Sequence, residues 1–189
     1  RVGGFVAYTT SSVLKGSGLS SSAAFEDMIG NIENHLYNDG AVSNVEIAKI
    51  AQYAENEFFG KPCGLMDQTA SAVGGLVSID FLDPAAPVIH PAAFDFSTCG
   101  HALCIIDTRA SHADLTDEYA AITLELKAIC QHFGKEVLTQ IDKADLLAAI
   151  PTLRKTCGDR AVLRALHFYA ENDRVPKQVK ALKENNFDA

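Results

Sequence analysis

The chain has 189 residues, a length that suits one domain or parts of two. Hydrophobic residues make up 48% and charged residues 21%, a globular composition that excludes a disordered chain. Acidic residues outnumber basic ones by 24 to 16, for a net charge of −8, which disfavours nucleic acid because phosphate backbones are bound through clustered Lys and Arg. A small anionic ligand stays open, since helix ends and loop amides hold phosphate against the global sign. Five Cys without CxxC spacing favour reduced thiols, a cytoplasmic setting and no zinc site. No apolar run reaches the roughly 18 residues of a membrane span, and the first residues have no signal-peptide pattern.

In chain order, residues 4–10 (GFVAYTT) are β-branched and aromatic enough for a strand. A Gly/Ser loop over 15–22 leads into a helix from Ala23 to about Tyr37, ended by Asn38-Asp39-Gly40. Ser43 and Glu46 form a capping box, and Ile47, Ile50, Ala51, Ala54 and Phe58 then share one helical face. Gly60-Lys61-Pro62 stops that helix. Residues 76–81 and 101–107 read as buried strands, separated by Pro84, Pro87 and Pro91; the stretch 83–99 is the expected domain boundary. From Asp114 the chain is mainly helical, with Leu115, Tyr119, Ile122, Leu126 and Ile129 as one stripe. Further helices are expected at 143–149, 159–171 and 176–184.

Gly16-Ser17-Gly18-Leu19-Ser20-Ser21-Ser22-Ala23-Ala24 is the most informative segment. Glycines let the backbone approach a ligand, and the first amides of the next helix suit an anion. The serines can cap the helix, bind phosphate oxygens or ligate Mg²⁺. A Walker A loop would need Gly-Lys-Ser/Thr at its end, and a dinucleotide fingerprint would need Gly at position 21. A plain Ser-rich N-cap remains the rival. Further on, Asp67 in Pro62-Cys63-Gly64-Leu65-Met66-Asp67-Gln68 reads as a helix cap or turn residue on its own chemistry. Glu55, at the edge of an apolar stripe where a free carboxylate is costly, reads as a surface Glu paired with a Lys. Glu26 and Asp27, just inside the first helix, are expected to complement its dipole. His112 and the three acids after it lack the companions of a metal site.

GSGLSSSAA resembles the second conserved motif of the GHMP kinases, the superfamily of galactokinase, homoserine kinase and mevalonate kinase. The segment PCGLMDQ resembles the galactokinase signature more closely than that of other members. The resemblance implies an α+β fold with a ribosomal protein S5 domain 2-like N-terminal part and the start of a GHMP C-terminal domain. It places the end of the ATP-binding domain in 1–98 and a partial C-terminal domain in 99–189. It implies that Gly16, Ser17, Gly18, Leu19, Ser20, Ser21 and Ser22 wrap the ATP phosphates. Ser22 and Glu55 would contact Mg²⁺. Asp67 would be the catalytic carboxylate facing the anomeric hydroxyl of galactose, and Gly64 and Tyr119 would bind the sugar. Tyr119 also lies on the apolar stripe, where core packing is its plain role. The segment from Arg164 to Val175 is family-like too, but reads as helix packing.

The family's N-terminal sugar-binding motif and its Gly-rich third motif are not among the 189 residues. The expectation is the middle of a galactokinase, with little or no activity by itself and with the rest of the enzyme as a partner. N-acetylgalactosamine as the acceptor, and a non-catalytic sugar or nucleotide sensor, are the alternatives. Oligomeric state is not legible.

Overall fold

The computed structural model describes residues 3–13, 18–83, 85–106 and 116–186. The chain divides into two compact units, one of Arg1–Gly75 with Leu103–Thr116, the other of Leu76–Ala102 with Asp117–Ala189.

In the first unit, α1 (Ser21–Tyr37), α2 (Asn44–Tyr53) and α3 (Met66–Val73) pack on one another. Gly30 lets α1 approach α2, since a Cβ there would sit 2.9 Å from Ile47 Cγ2. Ala23, Ile47, Ala48, Ala51 and Leu65 fill the interface. The turn after α1 uses the left-handed backbone of Asp39 and Gly40. The Asn34 amide then clasps Val42, donating to its carbonyl at 3.0 Å and accepting from its N–H at 3.1 Å. The Ser43 hydroxyl accepts from the Glu46 amide at 3.2 Å, so the first half of the capping box forms. Past Tyr53 the helix widens into a π-helical turn, Ala54–Phe58. Ile47 and Ala51 of the expected stripe are buried, whereas Ile50 and Phe58 are exposed.

Two expected strands do not form. Residues 4–10 and 101–106 carry no ladder, and Val6, Tyr8, Leu103 and Ile106 are largely exposed. A strand exists only through a neighbour, and β-propensity alone does not supply one. Residue 107 lies outside the described residues.

In the second unit, β1 (Val77–Asp80) pairs antiparallel with β2 (Val88–Pro91), Val77 opposite Pro91 and Asp80 opposite Val88. The expected break at Pro87 and Pro91 is therefore a strand, with Pro91 at its end where a missing N–H is tolerated. The helices α4 (Thr116–His132), α5 (Lys143–Thr156) and α6 (Asp159–Lys183) complete the unit. Its core is apolar: Ile129, Leu138, Ile141, Leu146, Leu153, Val162 and Tyr169 form one cluster. The Tyr169 hydroxyl, the polar end of a buried ring, lies 3.0 and 2.8 Å from the carbonyl oxygens of Leu138 and Ile141. Arg160 and Arg164 of α6 grip Glu125 of α4 at 2.7 and 2.8 Å. The expected stripe on α4 is buried only at its far end; Ile129 is enclosed, whereas Tyr119 and Ile122 are exposed.

The expected helices at 159–171 and 176–184 are one, since α6 runs through Pro176, and α5 likewise runs through Pro151. Each proline leaves the carbonyl four residues earlier without its donor. Those residues, Leu147 and Asn172, are exposed, so water can serve the orphaned oxygen. None of the five cysteines is in a disulfide. Among the described residues no helix is long and apolar enough to cross a membrane.

Candidate active site

The site is built from three short backbone features of the first unit. The first is the start of α1. The helix begins at Ser21, two residues before the expected Ala23, and its N-cap Ser20 adopts the left-handed conformation, φ 56°. That conformation is costly for a residue with a Cβ and marks a backbone held by its surroundings. The Ser20 side chain does not cap its own helix. Its hydroxyl instead donates to Asp67 Oδ2 at 2.7 Å. A plain Ser-rich N-cap is thereby ruled out for Ser20. Gly18 also has a positive φ of 75°. Gly16 and Ser17, with Lys15 before them, lie outside the described residues.

The second feature is the π-helical turn, which carries Glu55 inward so that it is only 4% exposed. Its carboxylate is fully engaged. Oε1 accepts from Ser22 Oγ at 3.1 Å and Lys61 Nζ at 2.6 Å, and Oε2 accepts from Gln68 Nε2 at 2.9 Å. Burial pushes its pKa up, but the Lys61 hydrogen bond and charge, with Cys63 and Ser22, hold it net below the ordinary carboxylate value. Glu55 is therefore an anion at neutral pH. The Lys61 ammonium is held above its usual range, first by the same hydrogen bond.

The third feature is the loop into α3. Asn56 Oδ1 accepts from the Cys63 amide at 2.7 Å, while Gln52 and Asn56 donate to the Cys63 carbonyl at 3.2 and 3.4 Å. These bonds fix the backbone that leads through Gly64 to Asp67 in the first turn of α3. A Cβ on Gly64 would meet open space, so packing within the chain does not require glycine there. Burial, then Glu55, pushes the Cys63 thiol up to about 11, so it is no thiolate nucleophile.

The result is a double link. Ser20 and Ser22, two residues apart, each hold one carboxylate: Asp67, exposed, and Glu55, buried. Beside them a cavity of about 1020 Å³ opens between α1 and the π-helical turn. Ser21, Ser22, Glu26, Glu55 and Lys61 line its polar side.

Three expectations change. Glu26 and Asp27 lie in the second turn of α1 and do not complement its N-terminus. Asp27 is 3% exposed, and neither of its oxygens has a partner among the described residues. Burial, then the neighbouring Glu26, raises its pKa to about 7. Glu55 does pair with a lysine, but as a buried group rather than on the surface. Tyr119 stands on α4 of the second unit, 52% exposed, and is not a core residue. His112 and Leu115 lie outside the described residues, and among the described residues no three acidic, His or Cys side chains group as a metal site.

Lys61 and Gln68 are the site residues that motif reading passed over. Gln68 directly follows Asp67 in the quoted signature, and Lys61 sits in the helix stop; a search for the partner that a buried Glu55 needs would have found both.

Residues 3–75 match the family model described as the GHMP kinases N terminal domain. Over these residues the chain is similar to a GHMP kinase N-terminal domain. Among curated relatives, a galactokinase of Actinobacillus pleuropneumoniae is 36% identical over 177 residues, 94% of this chain and 45% of that protein. A galactokinase of Thermotoga petrophila is 34% identical over 179 residues, 95% of this chain and 48% of its own length. The chain thus spans about half the length of the curated relatives it matches. A crystal structure of Lactococcus lactis galactokinase complexed with galactose matches 92% of this chain and 44% of that one, with a TM-score of 0.64 and 24% identity. The fold is the expected α+β GHMP kinase-like fold.

Proposed function

We propose that this chain is the central part of a galactokinase, which transfers the γ-phosphoryl group of MgATP to the C1 hydroxyl of galactose. The double link of Ser20 to Asp67 and Ser22 to Glu55 carries the reading. It ties the two carboxylates implied by the resemblance to the loop expected to wrap the phosphates. In this reading residues 1–98 close the ATP-binding domain, 99–189 begin the C-terminal domain, and the enzyme works in the cytoplasm.

Phosphoryl transfer depends mainly on positioning and charge neutralisation. The first-turn amides of α1 and the loop 16–22 hold the phosphates. Ser22 Oγ and Glu55 Oε1 are hard oxygens 3.1 Å apart, one of them anionic, and fit Mg²⁺, which would take its remaining ligands from phosphate and water. Bound Mg²⁺ would neutralise charge on the phosphate oxygens. Asp67, oriented by Ser20, takes the proton of the sugar hydroxyl as it attacks. Gly64 offers its amide to the sugar, and its open Cβ position leaves room for close approach. Tyr119 is assigned to the sugar by resemblance alone. The 189 residues by themselves turn over little, since they lack the family's N-terminal sugar-binding motif and Gly-rich third motif.

The test is coupled ADP release with galactose, in the longest natural form of the protein that contains this chain. Activity lost in Asp67→Asn with MgATP binding retained is the expected result. Full activity in that variant overturns the assignment. Preference for N-acetylgalactosamine would move the acceptor, and tight binding of MgATP and galactose without product would make the protein a sensor.

A further inference from the structure

We infer that Lys61 is a resident cation of the metal site, one that must leave Glu55 before a divalent ion can bind, so that the ion enters with the nucleotide rather than alone. The inference rests on the reading above and deepens it. Its basis is a shared atom: Glu55 Oε1 takes both the Ser22 hydroxyl, at 3.1 Å, and the Lys61 ammonium, at 2.6 Å. A divalent ion bridging Ser22 and Glu55 needs that oxygen. Oε2 gives no alternative while Gln68 holds it at 2.9 Å.

Lys61 is suited to leaving. Its backbone is tethered by its N–H to the Glu55 carbonyl at 3.2 Å, while its side chain is 56% exposed against 5% for Glu55. The ammonium can swing into solvent on a flexible stem, whereas the carboxylate cannot move out. Lys61 also lines the same cavity as Ser21 and Ser22, so the released charge stays beside the space that an anionic nucleotide would occupy. A bare cation has to displace a charge-assisted hydrogen bond; an ion arriving with phosphate brings an anion that the freed lysine can meet. Lys61 is on this account a positioning residue that sets the order of binding.

The experiment measures Mn²⁺ binding without nucleotide by calorimetry at pH 8, in the purified protein and in Lys61→Met, Lys61→Gln and Glu55→Gln. Both lysine variants are expected to bind Mn²⁺ about tenfold more tightly than the parent, and the Mn²⁺-induced rise in melting temperature should grow with it. Adding Glu55→Gln should abolish the gain. The gap between parent and Lys61→Met should narrow when Mn²⁺ is titrated together with ATP. If Mn²⁺ binds the lysine variants no tighter than the parent, the inference is overturned, while nucleotide binding lost in Glu55→Gln still supports the parent reading. If MgATP does not bind the parent protein, both fall.

Discussion

The two compact units keep their buried groups by opposite rules. In the second, one cluster of aliphatic residues closes around Ile129, Leu146 and Leu153, and the buried Tyr169 hydroxyl lies close to two carbonyls. In the first, Asp27, Asn34, Glu55, Gln68 and Thr69 are all buried, and several of their polar atoms lack partners among the described residues. Buried polar groups cost stability unless satisfied, so a fold that concentrates them in one place is holding something other than itself together. The second unit spends its interior on packing. The first keeps much of its interior polar, and the Glu55 carboxylate there is held by Ser22, Lys61 and Gln68.

That contrast can be broken by substitution. Asp67→Asn, in the first unit, should lower turnover by about 10²–10⁴-fold in the longest natural form, with little change in melting temperature because the side chain is exposed. A large fall in melting temperature would mean that Asp67 is structural. Leu146→Ala or Leu153→Ala, in the second unit, should do the reverse. Each removes a fully buried side chain and should cost about 2–5 kcal/mol in urea unfolding, with the Mn²⁺ site of the folded fraction unchanged.

A smaller effect sharpens the contrast through pH. The unfolded chain sheds the Asp27 proton near its ordinary value of 3.8, whereas the folded state holds it until about 7. Between these values the folded state binds more protons, so stability from this group falls as pH rises, and it is fully present only below the lower value. Asp27→Asn should therefore raise the melting temperature at pH 8 by a few degrees, and the gain should vanish near pH 4. A constant gain across pH would remove the carboxyl from the account. The smallest effect should come from a surface pair of the second unit: Arg154→Ala, which loses its 2.7 Å contact with Asp159, should leave the melting temperature nearly unchanged.

Local chemistry was readable from the sequence, and pairing was not. Ser43 with Glu46, and Asn38-Asp39-Gly40, act within a few residues and read correctly. Val88 to His90 were lost between two prolines, because their partner on β1 lies across a turn that composition does not encode. The prolines of α5 and α6 read as helix ends because the sequence does not show that water can reach the orphaned carbonyls. At the site, the resemblance gave the identities of Ser20, Ser22, Glu55 and Asp67. Which serine meets which acid depends on contacts 47 and 33 residues apart, beyond any local pattern. Phe58 was misplaced by helical phase, since a period of 3.6 does not survive the wider turn after Tyr53.

That wider turn also makes the site sensitive to length rather than to composition. A π-turn holds one more residue than the α-turn it replaces. Deleting Glu57, an exposed residue of that turn, would restore ordinary winding and re-aim the side chains within it. Asn56 would then lose its hold on Cys63, and the carboxylate at Glu55 would turn away from Ser22 with every side chain around it intact. Conservative exchanges along this turn leave the register alone; a one-residue deletion erases the site without altering one of its functional groups.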